Sequence, residues 1–412
     1  MLIINKDLYM KLITTFLTSV ICTLIYGQEL ANWRGPDRNG IYNETGLLRV
    51  WPESGPDLLW HFDGLGEGHT SAAVTSKGVF ISGMIEGIGY VFALDNNGKL
   101  VWKTPYGQEW ARNYDGSRST PHVVNDKLYL MSGYGKLICL STENGKTIWT
   151  VDLVKDYGAR NIDYGITENL ITDGNILYCT PGAADASLLA LDRNTGKLIW
   201  KSKGNGETSA YCSPIMIKIN NRKILVTMME RSICGFDAST GSLLWKFSHE
   251  NTYSVHPNSP VFYADHIFCF SELGNGGVML KLGKDGGSVS EVWNSRLIDC
   301  ITSGAVIFNN RIYGTGDSNR KLFCLDFKTG KELFSLKGFA PANIISAEGL
   351  LYLYSESGKV LLVEPKESEF KILGSFPVPF GTSQHMAHLV IKNKRLYVRH
   401  GNSLMAYSID AE

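Results

Sequence analysis

ALDRNTGKLIWK, residues 190 to 201, decides the fold. Two apolar residues lead into Asp192, a turn ends at Gly196, and a short strand then carries Trp200. The Asp side chain can hold the backbone two residues on, while the Gly takes the φ > 0 position that lets two antiparallel strands close a short hairpin. The unit recurs as ALDNNGKLVWK at 93 to 103, CLSTENGKTIWT at 139 to 150, GFDASTGSLLWK at 235 to 246 and CLDFKTGKELFS at 324 to 335. Weaker copies are KLGKDGGSVSEVWN at 281 to 294 and a degenerate stretch from Leu362 to Phe376. Its aromatic position falls at Trp60, Trp102, Trp149, Trp200, Trp245, Trp293, Phe334 and Phe376. Intervals of about 45 residues filled by short strands are the signature of a propeller. Each unit is the turn between the last two strands of a four-stranded blade, and its aromatic packs on the neighbouring blade.

The two ends of the chain fit the same scheme. WPESGPDLLWHF, residues 51 to 62, has the pattern of an outer strand with Trp60 in the aromatic position, but no inner strands precede it. The far end supplies three strands without a fourth: Met386 to Ile391, Arg395 to His400 and Ser403 to Ser408. Pairing them closes the ring and leaves no exposed sheet edge. The expectation is an all-β, eight-bladed propeller of four-stranded antiparallel blades over residues 57–412, with the N-terminal strand completing the last blade. Residues 28–56, including NWRGPDRNG at 32 to 40, form an extension packed on the ring.

Lys6 and Lys11 precede the uncharged run LITTFLTSVICTLIYG, so residues 1–27 read as a secretory signal peptide, with membrane association only if it stays uncleaved. The protein is therefore expected to be exported, periplasmic or extracellular, and monomeric. Lys and Arg number 40 and Asp and Glu also 40, which argues against a nucleic-acid partner needing a basic stripe. Seven of the cysteines lie beyond the leader, and Cys139, Cys234 and Cys324 occupy one strand position of different blades. That placement suits buried free thiols, and there is no CxxC pair.

Several stretches carry a likeness to known sequences: NWRGPDRNG, WPESGPDLLW, GSRSTPHVVNDKLYLMSGYGKLICL, CTPGAADASLLALDRNTGKLIWK, AYCSPIM and LYVRHGNSLMAYSI. Through them the chain resembles the pyrroloquinoline quinone (PQQ)-like repeat family, the propellers similar to quinoprotein alcohol dehydrogenases, in a secreted compact branch. The resemblance implies the eight-bladed fold and splits between two functions. Enzymes of the family hold the quinone against a bonded pair of adjacent cysteines, over a Trp floor, with calcium beside a catalytic Asp. Adjacent cysteines and CxxCH are both missing from this chain. Non-enzymatic relatives, such as the scaffold lipoprotein of the outer-membrane barrel assembly machine, use a similar propeller to hold partner proteins.

Propeller sites form where the loops entering the inner strands converge on the axis. There the sequence echoes itself: Ala111-Arg112-Asn113-Tyr114-Asp115-Gly116 returns as Ala159-Arg160-Asn161-Ile162-Asp163-Tyr164 before the next blade. Trp110, Arg118, Tyr157 and Glu168 lie close in sequence. Such a face could grip an anionic or sugar-like ligand or an acidic loop of an envelope protein. Alternatively, Asp and Asn cap their own loops and Arg pairs with Asp across the blade seam. His69, His256, His385 and His388 make a weaker cluster near the same loop starts, and no metal is expected. Thr120-Pro121, Ser213-Pro214 and Ser259-Pro260 recur at inner-strand starts and read as repeat architecture. These observations favour a non-catalytic binding or scaffold module with no cofactor. The alternative is a PQQ-dependent oxidoreductase acting on alcohols or sugars with calcium, and a third is a lyase or hydrolase on polysaccharide.

Overall fold

The third blade shows how one repeat folds: Ile171–Asp173, Ile176–Cys179, Leu188–Asp192 and Leu198–Ser202 pair antiparallel in sequence order. At its last turn the Asp192 carboxylate accepts from the backbone N–H of Asn194 and Thr195 at 3.0 and 2.9 Å. Gly196 reverses the chain at φ 71°. A side chain there would also run into Trp149 of the preceding blade, with a Cβ only 2.8 Å from its ring. The Gly is thus required twice, by its dihedral and by the close approach of an indole.

The computed structural model describes residues 29–412 apart from 161, 162, 273 and 302. The signal peptide expected over 1–27 lies outside the described residues. Eight sheets form, each of four strands from the repeat, so the architecture is an all-β, eight-bladed propeller. Leu58–Asp63 pairs with Ser403–Ser408 and completes the blade begun by Val390–Lys392 and Arg395–His400. The one helix named among the described residues, Leu153–Tyr157, is a single turn and a half. No helix among the described residues is long and apolar enough to cross a membrane.

The outer strands carry a feature that alternation alone does not predict. In the third blade Ala190 faces Trp200 but Leu191 faces Leu198, so Ile199 is a bulged residue. The same one-residue slip frees Val101, Ile148 and Val292 in other blades. A bulge lets the aromatic turn into the seam while the residue before it faces outward. Val101, Ile148 and Ile199 are accordingly exposed. In the seam the indole N–H of Trp102, Trp149 and Trp293 donates to the carbonyls of Thr142, Arg193 and Phe327 at 3.1, 3.0 and 2.9 Å. The seventh blade departs from the pattern. Its register places Gly374, not Phe376, after the bulge, and Trp51 of the N-terminal segment lies against that Gly. Phe376, two residues on, packs on Trp51 at 5.5 Å and meets the Gly55 turn.

Residues 30 to 42 enter the ring. Leu30–Ala31 pairs antiparallel with the inner strand His122–Val124 of the second blade. Ile41–Tyr42 pairs parallel with Ala342–Ala347 of the seventh. The stretch between them crosses the axis, and its two arginines act as spokes. Arg34 donates to the Ala305 carbonyl at 2.7 Å and lies 3.3 Å from His388 Nδ1. Arg38 donates to the carbonyls of Leu170 and Asn169 at 2.8 and 2.7 Å. Burial holds both guanidinium groups down to a pKa of about 10.

Candidate binding site at the ring axis

A hydrogen-bonded belt fixes the inner rim. Ser71 of the first blade donates through its hydroxyl to the His388 carbonyl of the eighth and through its N–H to Thr120 Oγ1 of the second, both at 3.0 Å. Thr120 N–H donates to Asn169 Oδ1 at 2.6 Å, and Asn169 N–H donates to Ser213 Oγ at 2.9 Å. Ser259 Oγ donates back to the Ser213 carbonyl at 2.7 Å. Asn258 Oδ1 receives Gly304 N–H at 2.9 Å, Thr315 Oγ1 donates to the Ala342 carbonyl at 3.1 Å, and Asn343 Nδ2 donates to the Met386 carbonyl at 2.7 Å. Each of the eight seams is crossed by at least one bond of this belt, which explains the recurring Thr-Pro and Ser-Pro at inner-strand starts. The Ser, Thr or Asn is the clasp.

Inside this belt lies a cavity of about 240 Å³ with Trp33 of the crossing segment among its lining residues. Tyr114, Tyr164 and Tyr211, from the loops entering the second, third and fourth blades, form one aromatic row. Their ring centroids are 6.1 and 5.8 Å apart. Arg118 and Thr167 join them, and His69, Glu272 and His388 add further polar groups beside the belt residues Thr120, Asn169 and Ser213. Arg118 Nη2 donates to the Asn113 carbonyl at 2.8 Å and also to that of Tyr114, so the guanidinium shapes the loop that presents the first tyrosine. Burial pushes His69 down to about 4, helped by Arg118 and then Arg399, so the imidazole is neutral at pH 7. Burial lifts Glu272 to about 7, reinforced by Asp317.

Of the residues singled out from sequence, Tyr114, Arg118, Tyr164, His69 and His388 line this cavity. Trp110 is buried, with Arg112 over its ring at 5.3 Å. Asn113 serves through its carbonyl. Asp115 and Asp163 are exposed, and neither pairs with Arg112 or Arg160 among the described residues. Arg160 instead donates to Thr208 Oγ1 at 3.3 Å, while Asn161 lies outside the described residues. Tyr157 packs into the seam between the second and third blades. Glu168 sits in the wall, with Oε2 receiving Thr180 N–H and Oγ1 at 2.8 and 2.6 Å, and burial raises it to about 7. His256 is buried, 2.6 Å from Ser271 Oγ, and His385 stacks on His400 at 3.8 Å.

Trp33, Tyr211, Asn169 and Glu272 were not singled out. Trp33 sits on the crossing segment, which nothing in the repeat announces. Tyr211 breaks the Arg-Asn-x-Asp echo, and Glu272 follows a second strand instead of preceding a first. The one available signal was Asn169, which stands at the inner-strand start where the neighbouring blades carry Thr120 and Ser213.

Eight repeats of this kind around a crossed axis define a PQQ-like repeat β-propeller. The chain matches the family described as outer membrane protein assembly factor BamB over residues 87–335 and belongs to it. It is 24% identical over 263 residues to the assembly factor BamB of Moranella endobia, covering 61% of this chain and 65% of that one. It is 26% identical over 151 residues to the quinoprotein alcohol dehydrogenase PedH of Pseudomonas putida, covering 35% of this chain and 24% of that one. The chain thus spans less than two thirds of either relative. Among solved structures, BamB from Moraxella catarrhalis superimposes with a TM-score of 0.60 at 12% identity, covering 86% of this chain and 99% of that one. Quinohemoprotein alcohol dehydrogenase from Comamonas testosteroni gives 0.66 at 10%, covering 91% and 79%. At such identities the likeness concerns the fold.

Proposed function

We propose that the protein is a non-catalytic binding or scaffold module of the cell envelope that engages partner proteins with the face formed by the loops entering the inner strands. The observation that carries this reading is the axis itself, spanned by the chain's own residues 30 to 42 and lined at the cavity by aromatic side chains. Tyr114 and Tyr253 are 48% and 68% exposed on these loops, and exposed aromatics are the anchors that protein interfaces favour. The relatives named as outer membrane assembly factors support a protein partner.

The residues present do not fit a calcium-held quinone. Calcium takes about six to eight oxygen ligands, several of them carboxylates. Glu272 is the one carboxylate lining the cavity, and among the described residues no cluster of three His, Cys, Asp or Glu is placed to hold a metal.

A photo-reactive residue placed at Tyr253 should give discrete cross-links to an envelope protein in cells, while one at Val101 on the outer strands should give none. Equal cross-linking at both positions would count against the loop face. Titration with PQQ and calcium, followed by dye-linked alcohol oxidation, tests the oxidoreductase alternative; saturable quinone absorbance with turnover would replace the scaffold reading.

A further inference from the structure

We propose that the axial cavity is a binding site for a short zwitterionic peptide of two or three residues, its carboxylate on Arg118, its ammonium on Glu272 and its apolar body along the tyrosine row. The inference goes beyond the scaffold reading and does not depend on it: Tyr114 is common to both, but the peptide's two charges rest on Arg118 and Glu272, which have no part in the protein-binding reading.

Two charges of opposite sign line one cavity without offsetting each other. Glu272 is 6% exposed, and its carboxylate makes no hydrogen bond or ion pair among the described residues. The charge that acts on it is Asp317, of its own sign. Its place is fixed all the same: Asp299, fully buried, receives the N–H of Gly274 and of Asp317 at 3.1 and 2.8 Å and so pins the turn that follows Glu272. Across the axis, Arg118 spends Nη2 on two carbonyls, while its Nε is buried without a partner. The acid nearest to it in effect, Glu109, is already occupied by the Tyr106 hydroxyl at 2.5 Å and by the N–H groups of Trp110 and Gly133.

Withdrawing a charge from water without a partner is costly. A ligand that returns a partner to each recovers that cost twice. A simple anion would satisfy Arg118 and meet repulsion at Glu272, and a simple cation would do the reverse. A free α-amino acid carries both charges on one carbon, whereas Arg118 enters the cavity from the loop before the second blade and Glu272 from the turn after the second strand of the fifth, three blades round the ring. A backbone advances about 3.3 to 3.6 Å per residue, which lets two or three residues separate the terminal charges by roughly 7 to 10 Å. The cavity of about 240 Å³ excludes a folded domain. Tyr114, Tyr164 and Tyr211 offer rings for an aromatic or aliphatic side chain, with Trp33 also lining the space.

The test is calorimetric titration of the full chain with Ala-Tyr-Ala, its N-acetyl form and its C-terminal amide. The free tripeptide is expected to bind, and each cap to weaken binding at least tenfold. Glu272→Gln should abolish the effect of acetylation and leave that of amidation; Arg118→Met should do the opposite. If Arg118→Met does not fold by its thermal melt, Arg118→Lys keeps the charge and should retain the amide effect. Binding at pH 7 should also release a proton, seen as a heat that varies with buffer and vanishes in Glu272→Gln, since an ammonium favours the ionised carboxylate. Capped and free peptides binding alike, or no binding of the free tripeptide at millimolar concentration, would overturn the proposal.

Discussion

Trp149 and Arg34 both tie separate parts of the ring together, but they belong to regions built on different terms. Trp149 reaches one blade onward, donates a single neutral N–H to Arg193, and has counterparts in Trp102 and Trp293. Arg34 reaches residues 269 and 354 positions away, carries a charge and has no counterpart in the repeat. The circumference spreads its stability over many similar contacts, so each is expendable. The axis concentrates it in a few contacts that nothing else can replace.

That contrast sets the scale of what substitutions should do. Removing residues 28–62 takes the crossing segment and the closing strand together, leaving the eighth blade with a bare edge. The truncated protein should show no cooperative melt by circular dichroism and should aggregate by light scattering; a monomer melting like the full chain would mean the axis is dispensable. Among single changes, Arg34→Met should cost about 3 kcal/mol in chemical denaturation, because charge-assisted bonds contribute roughly 1.5 to 3 kcal/mol each. Trp149→Phe should cost only about 1 kcal/mol, the worth of one neutral hydrogen bond. Equal losses would erase the distinction between the two regions.

A pH profile sharpens it further, since Glu168 stands in the wall beside Arg38. Burial raises its folded pKa from 4.5 to about 7, so the native state holds the proton more tightly than the unfolded chain. Its contribution is complete below about pH 4.5 and is lost as pH rises through about 7, amounting to about 3 kcal/mol at roughly 1.4 kcal/mol per unit. Glu168→Gln should match the wild type at pH 4.5 and exceed it at pH 8 in denaturation midpoint. Parallel profiles would show that Glu168 is ionised in the fold. The smallest effect is expected at Arg112→Ala with Arg160→Ala. Both side chains are exposed and neither braces an Asp, so the pair should change stability by less than about 1 kcal/mol.

The two regions also differ in how far their sequence can be read. The ring was legible because Asp192, Gly196 and Trp200 answer to a local turn and a neighbouring blade, and the demand returns about every 45 residues. Closure by Leu58–Asp63 was legible for the same reason, as an outer strand lacking partners at one end of the chain and three strands lacking a fourth at the other. The slip at Ile199 was not, because Leu198, Ile199 and Trp200 are all apolar and nothing in their order marks which of them is the extra residue. Periodicity found Tyr114 and Tyr164 through their echoing loops and missed Tyr211, where the echo stops. It was silent on Trp33, Arg34 and Arg38, whose partners are set by a single crossing of the axis.

The crossing has a consequence for the order in which the molecule can be made. Chain synthesis delivers the N-terminal end first, but Ile41–Tyr42 needs Ala342–Ala347 and Leu58–Asp63 needs Ser403–Ser408. For most of the time the polypeptide is being delivered, these early strands have no mates and their backbone donors and acceptors stay open. Contacts of such sequence separation are slow to form because a long loop must close first. Closure of the ring therefore has to wait for the final residues, and until they arrive the early strands present unpaired backbone edges.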